Sequence, residues 1–126
     1  MLTGEREILV LELVGALSMH FRRGEAAYQN FHADGRQFLF AKILRDNNSQ
    51  IRHLILSKGH LLPFEQQQNA IELVAHLDIW LALWEYLAST KAHKPEDGFS
   101  FESCRYPQEA AKSLKEFCLE LCKSIN

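Results

Sequence analysis

The densest run of groups able to hold charge or exchange a proton lies at 45–53: Arg45-Asp46-Asn47-Asn48-Ser49-Gln50-Ile51-Arg52-His53. An arginine clamps anions through a planar fork of donors, and a histidine changes charge near neutral pH. Around this run Phe40, Ile43, Leu44, Ile51, Leu54 and Ile55 recur at helical spacing, which places the cluster on a helix. Asn47 falls on the same inward stripe, between Ile43 and Ile51. A buried amide needs hydrogen-bond partners. Asn47 or Asn48 is therefore expected to fix helix register through a buried hydrogen bond. Asp46-Asn47-Asn48-Ser49 could also form a turn, because these residues compete for their own backbone. The apolar phase continues across them and favours one helix.

Read for catalysis, Arg45, Asn48 and His53 form an alternative site. An arginine, a polar spacer and a histidine on one helix resemble the HEPN ribonucleases, helical bundles in which two chains line the active cleft. That resemblance implies an RNA-binding or RNA-cleaving domain. Asp46 agrees with the polar position that follows the arginine there. The seven residues between Arg45 and His53 exceed the spacer of that pattern.

A second polar group, His76-Leu77-Asp78, lies within an otherwise apolar run. On a helical wheel Asp78 sits between Val74 and Ala82, and a carboxylate there needs a partner if it is buried. Arg45 and Arg52 are the natural ones. The bland reading makes Asp78 and Glu85 a narrow solvated edge of the same helix. Trp80 and Trp84, four residues apart, suit a core or an interface, and could also form an aromatic platform for a ligand. Asn47, Arg52, His60, His76, Asp78, Trp80 and Trp84 are the candidates for binding or interface contact.

Metal and cofactor chemistry find little support. His20, His32, His60 and His93 lack ligand spacing, and the His-x-Asp at 76–78 differs from the adjacent His-Asp of metal-dependent phosphohydrolases. Cys104, Cys118 and Cys122 form no C-x-x-C pair. Cys118 and Cys122, four apart, read as small hydrophobes on one helix face. No phosphate-binding glycine loop, dinucleotide fingerprint or G-x-S-x-G elbow is present. No metal, cofactor or catalytic residue is expected outside the alternative reading.

These side chains need elements to hold them. One helix is expected from Thr3 to Phe21, with Val10, Leu13, Val14, Leu17 and Phe21 on its stripe and Arg22-Arg23-Gly24 as its stop. Glu25 to Lys58 should be helical with a break at Asp34-Gly35. Pro63 opens a helix reaching Ala88 that is apolar on most sides, as expected of a bundle centre or a subunit interface. Residues 89–107 form a long connection in which Phe99 and Phe101 pack against the bundle. A last helix should run from near Pro107 to Ile125. The expectation is an all-α fold, a four- to five-helix antiparallel bundle, with 1–126 as a single domain.

Three segments together, Leu44–Asn48 leading to Ile51-Arg52, then His60–Pro63, then His76–Leu81, resemble small all-helical bacterial proteins. The similarity spans Gly35 to Trp84. It implies no activity, substrate or cofactor.

Composition bounds the partner. Of 126 residues, 47% are hydrophobic and 24% charged, which is the balance of a folded globular chain. The net charge is −2 and the pI about 6.3, so no basic surplus advertises nucleic acid. Ile8–Val14 looks like a secretory core until Glu12 interrupts it behind an acidic leader. The chain reads as cytoplasmic, with no membrane partner. Its leading reading is a non-enzymatic interaction or accessory module, forming a homo-oligomer or serving as a subunit beside an effector.

Overall fold

The computed structural model of the chain describes residues 3–102 and 105–125. Five α-helices account for most of it: α1 (Thr3–Leu9), α2 (Gly15–Ala33), α3 (Phe38–Lys58), α4 (Phe64–Ser89) and α5 (Gln108–Ile125). A π-helical turn, Val10–Val14, joins α1 to α2. The fold is all-α. Among the described residues the one strand-like pairing is an isolated antiparallel bridge between Gln37 and Gly98. α2 packs on α3, α3 on α4, α4 on α5, and α5 closes the ring on α2 and the π turn. Short links at 34–37 and 59–63 force neighbouring helices to run antiparallel.

The first rod departs from expectation twice. Arg22-Arg23-Gly24 does not stop it, and the helix continues to Ala33. Glycine at 24 serves close approach instead, because a Cβ there would lie 2.7 Å from Asn47 Nδ2 on α3. The rod ends where the sequence places the later break. Gly35 (φ 74°) and Arg36 (φ 55°) turn left-handed, and the Arg36 N–H donates to the Phe31 carbonyl at 2.8 Å. That bond defines a Schellman stop, which needs a residue tolerant of positive φ. The second departure is the π turn, in which the Gly15 N–H reaches back to the Val10 carbonyl. Its extra residue rotates the preceding turn. Leu9, not Val10, then joins Leu13, Val14 and Leu17 in the core, while Val10 is only partly buried.

Across Asp46–Ser49 the helix is unbroken, as the apolar phase requires. Two apolar clusters lie along the bundle. The larger joins Leu13, Leu17, Ile51, Ile55, Leu73, Leu77, Leu114 and Cys118, and the smaller joins Ala27, Phe31, Ala41, Leu44, Trp84 and Phe99. Asn47, fully buried, sits on α3 between Leu44 of the smaller cluster and Ile51 of the larger. The 89–107 connection is tied down by backbone bonds. The Phe38 and Leu39 N–H groups donate to the Asp97 and Pro95 carbonyls, and the Phe99 N–H donates to the Arg36 carbonyl. Phe99 is thereby driven into the core, with Phe101 partly buried beside it.

α4 is apolar on most of its circumference. Leu73, Val74, Leu77 and Trp84 face inward. On the other side Phe64 (82%), Ile71 (55%), Ile79 (48%) and Tyr86 (67%) remain exposed. No helix among the described residues is long and apolar enough to cross a membrane.

Candidate functional site

Where α2, α3 and α4 diverge, a cleft of about 590 Å³ opens between them, walled on the remaining sides by 99–101, Tyr106 and Lys115. Its volume lies within the range of ordinary ligand sites. α2 supplies Phe21, Glu25, Tyr28 and Phe31, α3 supplies Leu44, Asn47 and Asn48, and α4 supplies His76, Trp80 and Trp84. These α4 residues recur at spacings of four, so one helix face carries all three.

Aromatic rings close one end. Phe38 stacks on Trp84 (centroids 5.8 Å apart) and on His93 (4.7 Å), and Phe99 meets Phe38, Trp84 and His93 at 5.2–5.3 Å. Trp80 tilts against Phe101 at 5.6 Å. The Trp84 Nε1–H is sealed in this packing with no acceptor among the described residues, as in a cluster packed for area.

Asn47 forms the floor between α2 and α3. Its Nδ2 donates to the His20 carbonyl at 2.8 Å, and its Oδ1 lies 2.9 Å from His20 Nδ1. Because the carbonyl can only accept, the amide nitrogen must face it, and the amide oxygen then requires a proton on His20 Nδ1. The expected buried hydrogen bond thus exists, and it ties α3 to α2. It also makes Asn47 a structural residue with no surface to offer a partner.

His76 is buried against the Tyr106 ring, centroids 5.1 Å apart in a T-shaped contact. Burial lowers its pKa below 6.5, opposed by a backbone hydrogen bond with Arg105, so the imidazole is neutral at physiological pH. Lys115 lies above two rings, its Nζ 5.5 Å from the Phe21 centroid and 5.8 Å from that of Tyr106. Nothing in helical periodicity distinguishes Lys115 or Tyr106, which become neighbours of His76 only when α5 docks on α4.

The other candidates lie apart. Asp78 pairs with Arg52 (Nε–Oδ1 2.5 Å) and Glu85 with Arg45 (Nε–Oε1 2.7 Å), in both cases with side chains about half exposed. Arg52 is one of the two arginines expected for Asp78, but the pair is not buried, and Arg45 turns instead to Glu85. Asp78 and Glu85 form the solvated edge of α4, and such pairs contribute about 0–1 kcal/mol. Arg45 also lies 5.8 Å from the Trp84 ring. Asn48 lines the cleft, whereas His53 is exposed and sits about 140° around the helix from Asn48. Arg45, Asn48 and His53 therefore share no face within one chain. His60 is exposed in a 3-10 turn, where its carbonyl and that of Leu62 accept from Gln67 Nε2.

Cys118 is fully buried, and burial together with neighbouring Cys122 pushes its thiol up to about 12. Cys104 lies outside the described residues. Among those described, no group of three His, Cys, Asp or Glu side chains is placed to hold a metal ion. No protein family, curated protein or solved structure matches the chain.

Proposed function

We propose that this chain is a non-enzymatic helical interaction module that associates with a second copy of itself through the outer face of α4. The observation that carries the reading is the exposed apolar stripe of that helix. Phe64, Ile71, Ala75, Ile79, Ala82 and Tyr86 are all exposed, and on a wheel they occupy an arc of about 80°.

The large side chains of the stripe are placed symmetrically about Ala75, while Gln68, exposed in the same arc, is the mirror position of Ala82. Ile71 and Ile79 lie four residues to either side of Ala75, and Phe64 and Tyr86 lie eleven to either side. Two such helices, antiparallel about a two-fold axis at Ala75, would set isoleucine against isoleucine and phenylalanine against tyrosine. The small alanine would stand at the closest approach. A self-complementary patch is what a two-fold interface requires. Arg52 and Arg45 already neutralise Asp78 and Glu85 along one flank, which reduces acid–acid repulsion between the copies. One helix pair is smaller than a standard interface, so the dimer should be reversible. The free thiols of Cys118 and Cys122 support a cytoplasmic setting.

Sedimentation velocity over a dilution series tests this. The parent protein should shift from dimer to monomer on dilution, and Ile71→Asp should be monomeric throughout. A parent that stays monomeric up to roughly 1 mM, an association weaker than about 4 kcal/mol, overturns the reading.

A further inference from the structure

The cleft contains a cation that has no counter-ion among the described residues. Lys115 is half-buried, and its one hydrogen bond among the described residues is donated to Tyr106 Oη at 3.3 Å. The ion pairs of the described residues do not include it. Among the described residues Glu25 is the single carboxylate on the cleft wall, against the basic side chains of Arg36 and Lys115, which leaves that lining one positive charge in excess. Aromatic faces hold an ammonium weakly and displace part of its water, so an anion reaching it would meet an incompletely solvated partner. Tyr106 accepts from Lys115 through its oxygen, and its own proton remains available for the same anion.

We propose that the cleft binds a small amphiphilic organic anion, an aromatic carboxylate or sulfonate. Its planar body lies among Tyr28, Trp80 and Phe101, and its acidic group rests on Lys115 and the Tyr106 hydroxyl. The ring-lined walls fit a flat apolar body, and the volume of about 590 Å³ accommodates one or two fused rings with a substituent. Neutral His76 adds no charge beside Lys115, which is the cation that shares this end of the cleft with the Tyr106 hydroxyl.

The test uses the full chain and two fluorescent probes of similar shape: anilinonaphthalene sulfonate, which is anionic, and N-phenylnaphthylamine, which is neutral. The sulfonate should saturate one site per chain and quench Trp80 and Trp84. Lys115→Gln should weaken it about tenfold, about 1.4 kcal/mol, while leaving the neutral probe unchanged, and Lys115→Arg should restore binding. Ser100→Trp, at an exposed position on the cleft wall, should exclude both probes. Far-UV circular dichroism of each variant confirms that the helices persist. The Ile71→Asp variant separates this site from the outer face of α4, which points the opposite way, and should bind the sulfonate as the parent does. The proposal is overturned if Lys115→Gln affects both probes equally or neither. It is also overturned if binding follows Ile71, or if the sulfonate shows no saturable site below roughly 1 mM.

Discussion

Replacing Gly24 by alanine sets two opposing effects against each other, and the structure decides which prevails. In the interior of a helix, alanine is favoured over glycine by about 1 kcal/mol. Here the new methyl would arrive 2.7 Å from Asn47 Nδ2, closer than carbon and nitrogen tolerate. The amide cannot swing away, because it is held by the His20 carbonyl on one side and His20 Nδ1 on the other. Overpacking of this kind costs about 1–3 kcal/mol, so Gly24→Ala should destabilise the protein by up to about 2 kcal/mol despite the better propensity. Asn47→Ala removes two neutral hydrogen bonds of about 1 kcal/mol each and leaves a small void, for a loss of about 2–3 kcal/mol. In that background the obstacle is gone, and Gly24→Ala should become stabilising by up to about 1 kcal/mol. The double-mutant cycle is therefore expected to show a coupling of about 1–3 kcal/mol, read from urea unfolding followed by circular dichroism. An additive cycle, or a Gly24→Ala protein more stable than its parent, would refute the argument that Asn47 and Gly24 set the spacing of α2 and α3.

Two further outcomes follow from the buried titratable groups. His76 has a folded pKa below its unfolded 6.5, so the unfolded chain binds the proton more readily and stability falls as pH drops below 6.5. Urea midpoints between pH 5 and 8 should show this decline in the parent and a smaller one in His76→Gln; an equal decline in both would assign it elsewhere. Cys118, its thiol held near 12, should resist iodoacetamide at neutral pH until urea unfolds the chain, tested with Cys104 and Cys122 replaced by serine. Labelling at the rate of a free thiol in the folded protein would contradict its burial.

Much of the architecture was legible because it depends on neighbours three and four residues apart. Period and phase placed α3 across Asp46–Ser49, Gly35 and Pro63 marked real ends, and the excess apolar surface of α4 was visible before any contact was known. The polar edge at Asp78 and Glu85 was likewise written in the wheel. Gly24 was misread as a stop because local rules see only its weak propensity, whereas its use is the approach of Asn47 from 23 residues away. The π turn shifts Leu9 into the core for a similar reason, since only packing against other helices rewards the extra residue. The cleft was the least visible feature. Its walls come from four helices and a connection, and Lys115, Tyr106 and His76 have no shared period. Short-range periodicity determines which face of a helix is apolar. The distances at which separate faces meet, and the polar groups enclosed between them, are fixed only when the helices pack.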